Sequence, residues 1–365
     1  MTRLGDLPLL TEDQPGTGGG MVELSDFRVE EIAAYAPSGD GEHCMVLLEK
    51  TDLTTPVALR RVCEGLGVDP ARAGYAGLKD RHGITRQWIS VHDVDPTRVD
   101  PMRVRQLALP GIQVLQAERH RNKIKTGHLR GNRFQIVLRD TVADGVQRAG
   151  EVLRRLEHTG LPNYFGDQRF GRQGDNAQRG LALLRGELRV KDRFQRRLLV
   201  SALQSAMFNA VLARRIEQQA VMRLWGGEVL QKVERGGMFV NNPDEIEIDQ
   251  RRLEARELCI TGPICGPRMP LPAPGSQALE QEQQVFLEHG VTPQHFAAMG
   301  RIARGGRRPL TVLVAAAVVA QVAEGLQLSF SLPPGAYATV LLREVTKQAV
   351  QREVEAEDHS LIESD

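Results

Sequence analysis

The sequence predicts an α+β fold in which a more helical segment is inserted between two strand-rich ends. Three observations carry this. Alternating or β-branched stretches occupy 21–32, 44–48, 86–91 and 132–139, and return after residue 310. Residues 198–218 instead repeat apolar side chains at helical spacing. The 365 residues also exceed the roughly 250–300 that one core usually serves. The expected division gives 1–157 and 306–365 to the strand-rich domain and 158–305 to the insert.

Each element has its own signature. Residues 11–20 (TEDQPGTGGG) end in no Gly-Lys-Ser/Thr, so they read as a lead-in rather than a phosphate-binding loop. A strand follows from Met21 through Phe27 to Ile32, then a turn at Pro37–Gly41 and the apolar strand Cys44–Leu48. Thr55-Pro56 opens a helix, since Thr caps and Pro suits the first helical position. Val62, Cys63 and Leu66 form its inward face, and Gly67 is the stop. Arg86–Val91 is a strand with Gln87, Ile89 and Val91 on one side and Trp88 and Ser90 on the other. Asn132–Arg139 is another, with Phe134, Ile136 and Leu138 sharing a face. Val142–Leu156 and Leu198–Gln218 are helical, the latter with a stripe of Leu199, Leu203, Met207 and Val211. The Pro/Gly-rich residues 262–275 read as a long loop. Strands Leu310–Val319 and Leu326–Leu332 lead through a Pro-Pro-Gly turn to a helix over Ala336–Val350.

Composition narrows the class. Hydrophobic residues are 41% and charged residues 25%, a globular profile. No apolar run approaches the roughly 20 residues of a membrane span, and the first residues, with Asp6, lack a signal-peptide pattern. A cytoplasmic location is expected. The net charge of +1 hides an acidic tail: residues 353–365 hold six acids and no Lys or Arg, and without them 47 basic side chains face 40 acidic ones. Cys44, Cys63, Cys259 and Cys265 are too few for a disulfide framework in a chain of this length. Cys259 and Cys265 are six apart with no His beside them, so buried thiols rather than a zinc site are expected.

Two segments carry chemistry. In Gly77-Leu78-Lys79-Asp80-Arg81-His82-Gly83, neighbouring cations favour the ionised form of Asp80. On a glycine-bounded loop that carboxylate suits a nucleophile or general base, and equally a solvated turn. Residues 119–139 hold seven Lys or Arg, two His and no acid. Arg119, Arg121, Lys123 and Lys125 alternate, so an extended chain puts all four on one face, matching a phosphate backbone; a charge-protected edge strand is the alternative. Nucleic acid is favoured because no acid interrupts the run. Further basic groups stand at Arg189, Lys191, Arg193, Arg196 and Arg197, and at Arg301, Arg304, Arg307 and Arg308. Phe27, Phe134 and Phe330 lie near strand ends in a chain only 4% aromatic, which suits base stacking as well as core. Asn132 enters its strand beside Gly131. Residues 162–171 (PNYFGDQRFG) fit a substrate-contacting hinge or a packed turn.

Together these segments resemble the TruD family of tRNA pseudouridine synthases. The matching pieces are DFRVEEI at 26–32, PSGDGEH at 37–43, AGLKDRHGITRQW at 76–88, TGHLRGNRF at 126–134, LPNYFGDQRFGR at 161–172 and FSLPPGAYATVLLREV at 330–345. They stand in the family's order over most of the chain. Ser25 replaces the usual Pro-Glu before Asp-Phe, Arg81 stands for Lys, and Gly83 for Ala. The resemblance implies isomerisation of uridine 13 in the D arm of tRNA to pseudouridine. It implies Asp80 as the essential aspartate, Phe27, Asn132 and Phe330 as contacts to the target nucleotide, and Phe134 as the aromatic that replaces a Tyr of other pseudouridine synthases. It implies a pseudouridine-synthase catalytic domain on a largely antiparallel mixed sheet built from both chain ends, and an inserted α/β domain that makes a cleft for RNA. The reaction is redox-neutral, so no metal or other cofactor is expected, and tRNA is the expected partner, with no obligate protein partner or membrane. Two other classes fit parts of the sequence. A non-catalytic tRNA-binding protein needs the basic strip but not Asp80; a nucleoside or glycoside hydrolase needs Asp80 and usually a second carboxylate.

Overall fold

The computed structural model describes residues 3–297 and 299–348. The acidic tail lies outside the described residues, as do the last two residues of the expected helix Ala336–Val350. In chain order the elements begin with β1 (Phe27–Ala33), β2 (His43–Thr51), α1 (Thr55–Leu66), β3 (Gly74–Tyr75), β4 (Ile84–His92), α2 (Pro101–Arg105), β5 (Ile112–His120), β6 (Leu129–Leu138) and α3 (Gly145–Thr159). Next come β7 (Leu161–Pro162), α4 (Asn176–Leu184), α5 (Arg193–Glu217), β8 (Val229–Lys232), β9 (Met238–Val240), α6 (Ile246–Glu254) and β10 (Leu258–Ile264). The chain finishes with α7 (Gln277–Glu288), α8 (Pro293–Ala297), β11 (Gly306–Pro309), β12 (Thr311–Val312), β13 (Ala315–Val322), β14 (Gly325–Leu332) and α9 (Ala338–Thr346).

Two units result. The sheet unit comprises 17–150 and 314–335; the helical unit comprises 3–16, 151–313 and 336–348. This departs from the expectation that both chain ends join the strand-rich domain. Hydrogen bonds explain the difference. The Glu344 carboxylate on α9 accepts from the Leu10 and Thr11 amides at 2.9 and 3.0 Å, and Asp167 accepts from the Leu4 amide at 2.9 Å. Phe165 meets Tyr337 edge-on, with ring centroids 6.3 Å apart. These bonds tie both chain ends to the segment that follows β7.

In the sheet unit, eight strands among the described residues form one sheet ordered β13-β14-β6-β1-β4-β2-β5, with β3 added beside β4. β1 and β4 run parallel, and every other neighbouring pair is antiparallel. The fold is therefore α+β with a mixed, largely antiparallel sheet. Alternation decides which face is buried. Leu326, Leu328, Phe330 and Leu332 of β14 are all at most 2% exposed, and Gln87, Ile89 and Val91 of β4 turn inward as expected. α1 covers this face over the β2 end, packing Ala58, Leu59, Val62, Cys63 and Leu66 against Cys44, Val46 and Leu48. Helix α1 ends at Gly67, whose φ of 68° suits glycine. The capping residue is Thr54, not Thr55: the Val57 amide reaches the Thr54 hydroxyl.

The helical unit is built around α5. Its predicted stripe Leu199, Leu203, Met207 and Val211 is buried, but the helix begins five residues before Leu198, where Asp192 caps it by accepting from the Gln195 amide. The expected loop over 262–275 begins late, because β10 extends to Ile264. Pro263 is tolerated there because β8 pairs only with Leu258–Ile260, so no partner on that side needs its missing amide hydrogen. Among the described residues, no helix is long and apolar enough to cross a membrane.

Candidate active site

The inner face of the sheet unit gathers the aromatic residues. Phe27 on β1, Phe134 on β6 and Phe330 on β14 are 2%, 5% and 1% exposed. Register brings them together: Phe134 pairs with Phe330 and with Val29, and Phe27 pairs with Ile136, two residues along from Phe134. The Phe134 and Phe330 rings stack at 5.2 Å with planes 21° apart, and Phe27 tilts against Phe134 at 6.1 Å. Asn132 lies two residues from Phe134 on the same strand. Its side-chain Oδ1 is shielded from solvent and has no hydrogen-bond partner among the described residues.

Phe27 is held from its N-terminal side. The Asp26 carboxylate takes two bonds from Arg139, both 2.8 Å, and two from the Val22 and Glu23 amides, both 2.9 Å. The Arg139 guanidinium brings the Asp26 carboxyl down to about 2. On its other side the ring meets Gly83, which has φ of +142°. A Cβ at 83 would lie 2.6 Å from the Phe27 carbonyl oxygen and 2.8 Å from its ring, so in this chain a side chain there would force the loop or Phe27 to shift.

Gly83 ends the loop that carries Asp80, and the protein clamps that loop at three points. Lys79 turns inward and pairs with Glu31 of β1 at 2.7 Å, with both side chains almost wholly buried. The Thr55 hydroxyl, freed from capping, accepts from the Lys79 amide at 2.9 Å and donates to Gln87 at 2.8 Å. Lys50 of β2, itself 0% exposed, donates to the carbonyls of Leu53, Asp80 (2.8 Å) and Lys79 (3.4 Å). Beyond Asp80, Arg81 and His82 converge on Asp52 at 3.3 and 3.2 Å. Asp80 itself is partly exposed, on a loop whose neighbours are fixed. The parts that Lys50, Thr55 and Glu31 play at this loop are not legible in the sequence, because each looks ordinary in its own segment and Thr55 reads there only as a helix cap.

Burial brings the Lys50 ammonium down from 10.5 to about 8, against the opposing pull of Asp80. Between those values the folded protein binds fewer protons at Lys50 than the unfolded chain. The contribution of this group therefore rises with pH from about 8 to 10.5 and is lost as pH falls through 8. The stability difference between wild type and Lys50→Met should grow by roughly 3 kcal/mol across that window, read from urea midpoints. Parallel pH curves for the two proteins would remove Lys50 from this account.

The basic strip is not one face of one strand. β5 ends at His120, and residues 121–128 bend away. Arg119 donates to the Pro96 carbonyl, and Arg121 makes a two-pronged pair with Asp40 at 2.8–3.1 Å. An acid 81 positions away in sequence thus answers the run that contains none. Lys123 gives one proton to the Ala71 carbonyl at 2.8 Å, and Lys125 is exposed. In the helical unit, Arg307 is buried against Glu282 at 2.7 Å, and Arg308 lies 4.1 Å over the Phe165 ring, so both serve packing. Asn163 bonds to Leu310, Pro309 and Arg308, and Phe165 exchanges two bonds with Asn209. The segment 162–171 is thus anchored within its unit at Asn163 and Phe165, while Asp167 and Gln168 are exposed. All four thiols are free, and Cys44, Cys63 and Cys265 are buried.

Comparison with known proteins bears on the family and the fold. The family model for tRNA pseudouridine synthase D (TruD) matches residues 6–191 and 188–345. A tRNA pseudouridine synthase D of Thermus thermophilus is 41% identical over 354 residues, covering 96% of this chain and 94% of its own. One from Anaeromyxobacter sp. Fw109-5 is 39% identical over 353 residues, covering 95% and 97%. The crystal structure of a putative TruD from Methanosarcina mazei has the same fold, with a TM-score of 0.77 at 23% identity over 94% of this chain and 97% of that one. With matches of this extent in sequence, the chain belongs to the tRNA pseudouridine synthase D (TruD) family.

Proposed function

We propose that this protein converts uridine 13 of tRNA to pseudouridine, with Asp80 as the catalytic carboxylate. The observation that carries the reading is the clamped loop: Lys79, Thr55 and Lys50 hold the backbone on either side of Asp80 beside an aromatic inner face. The bond from ribose C1′ to uracil N1 breaks and one from C1′ to C5 forms. N1 gains a proton and C5 loses one, so atoms and charge balance without a redox partner. The target base must leave its stack, a cost of a few kcal/mol that aromatic stacking in the site offsets. Asp80 acts as nucleophile or as base on the extruded nucleotide, and both roles need an ionised carboxylate. Phe27, Asn132, Phe134 and Phe330 contact that nucleotide. A tRNA substrate carries a cytoplasmic location with it.

Backbone contacts come from cations that lack a buried role. Lys123 and Lys125 are such groups, with Arg119 and Arg121 beside them. Arg189, Lys191, Arg193 and Arg197 are exposed around the start of α5. Arginines in the first turn of a helix oppose its dipole, a cost that an external phosphate offsets.

The deciding experiment is incubation with an unmodified tRNA transcript tritiated at uridine C5. Tritium release with pseudouridine mapped to position 13 is expected, and none from a transcript with cytidine there. Pseudouridine elsewhere overturns the position, free uracil indicates a hydrolase, and binding without reaction indicates a tRNA-binding protein.

Phe134→Leu tests the aromatic contact. The substitution keeps apolar volume but removes the ring stacked on Phe330, worth about 0.5–1.5 kcal/mol to stability. Stacking on a base is worth roughly 1–3 kcal/mol, so turnover or affinity should fall about 5- to 150-fold. A loss no greater than the loss of folded protein would make Phe134 core alone.

A further inference from the structure

We propose that a hollow on the outer face of the sheet unit binds a phosphate group of the RNA strand, apart from the inner face that carries Asp80; the proposal rests on the tRNA reading above. The hollow has a volume of about 530 Å³. Its walls are Tyr35 and His43 together with side chains of the segment that leaves β5.

The chemistry of the walls selects an anion. Every polar side chain lining the hollow is an imidazole, ammonium, amide or phenol, and none is a carboxylate. Two acids stand nearby: Asp40, paired with Arg121, and Glu42, 3.7 Å from His92; they pull His120 and His43 upward, but less than burial pushes them down. The walls are also built rather than incidental. Tyr35 stacks on His120 at 5.1 Å with planes 10° apart, meets the His128 ring edge-on, and hydrogen-bonds its Nδ1 at 2.8 Å. His120 Nδ1 accepts from the Ser38 amide at 3.2 Å, which leaves the ring proton on Nε2 as a donor. His43 Nδ1 is shielded from solvent with no hydrogen-bond partner among the described residues.

Burial pushes both His43 and His120 below the usual imidazole range, reinforced at His43 by His92 and at His120 by Arg121. At neutral pH these rings therefore donate N–H groups while Lys123 and Lys125 supply the charge. Lys123 spends one of its three protons on Ala71. Two ammonium groups with neutral donors between them suit the single charge and paired oxygens of a phosphodiester.

Position makes this a second contact. His43 lies on the opposite face of β2 from Lys50, seven residues away, or roughly 24 Å along the strand. The wall is nevertheless bonded to the catalytic loop's approach. The Gly127 amide donates to the Ala76 carbonyl at 2.8 Å, the Ile124 amide to Ser90 at 2.8 Å, and Ala76 directly precedes Gly-Leu-Lys-Asp. An RNA strand held in the hollow is thereby linked to the loop that carries Asp80.

The test uses the full-length protein with imidazole carbon-13 signals assigned. Inorganic phosphate should shift the signals of His43, His120 and His128 saturably, and Asn122→Glu, which places a negative charge at an exposed position of the wall, should abolish the shifts. The same substitution should weaken tRNA binding about tenfold at low salt and make the slope of log K against log salt shallower by about 0.7–0.9. Lys125→Glu should do at least as much. Gln113→Glu, exposed at the other end of β5, should leave affinity within about twofold of wild type. Silent imidazoles overturn the proposal. So does a phosphate response with wild-type tRNA affinity in Asn122→Glu, which would mark a site for free phosphate instead. Pseudouridine formation by wild type, followed in parallel, separates the two readings. Product with silent imidazoles sinks the hollow alone, whereas a responding hollow without product supports it and sinks the isomerase assignment.

Discussion

Asp80→Asn is expected to abolish pseudouridine formation while tRNA affinity stays within about twofold of wild type. The amide has nearly the same shape but is neither nucleophile nor base. Carboxylate participation typically contributes 10²–10⁴-fold, so turnover should fall by at least about a hundredfold. The loop itself should not move, because two of its clamps grip the backbone, where Lys50 holds the carbonyl of Asp80 and Thr55 the amide of Lys79, and the third is the Lys79–Glu31 pair. Single-turnover kinetics at saturating protein reads the chemical step apart from binding. Turnover above a few per cent of wild type would remove Asp80 as the catalytic group. Loss of binding in step with loss of turnover would make it a folding or docking residue.

Lys79→Met should be the most destabilising of these substitutions. Glu31 would keep its charge in an almost fully buried place with no counter-ion, an arrangement that typically costs about 3–5 kcal/mol. For a unit of this size, 1 kcal/mol moves the melting point by about 2–4 °C, so a fall of roughly 6–20 °C is expected. The double variant Glu31→Gln with Lys79→Met should recover much of that loss, since it removes both charges together. The two single variants and the double form a cycle whose coupling energy measures the pair. Additive losses, or a single-variant cost under about 1 kcal/mol, would mean the pair is solvated and holds nothing. The expected loss of turnover in Lys79→Met, even where protein is folded, follows from freeing the residue next to Asp80.

How much of this could be read from the chain differs by element. Strand alternation at Gln87, Ile89 and Val91, and at Phe134, Ile136 and Leu138, identifies faces correctly, because a half-buried strand repeats every two residues. The stripe through α5 is legible for the same kind of reason. Boundaries are less so. The first turn of α5 is largely polar, and its one apolar side chain, Phe194, is exposed and off the buried stripe, so only the Asp192 cap marks the start at Arg193. β3 and β5 went unread, the first because it has two residues and the second because Gln113, Gln116 and Glu118 dilute its pattern.

By itself the sequence determined the α+β class, the aromatic positions at 27, 134 and 330, the loop around Asp80 and the motifs that carry the family resemblance. These are local patterns or matches, complete within a few dozen residues. Tertiary structure alone decided what each charged group does. Arg121 faces Asp40, Arg307 faces Glu282, Lys79 faces Glu31, and Lys50 reaches the carbonyl of Asp80, across separations of 25 to 81 residues. It also decided that α9 and residues 3–16 join the helical unit. The physical reason is that a charge or polar hydrogen is satisfied by whatever the fold brings within about 3 Å, and that distance leaves no periodicity in the chain.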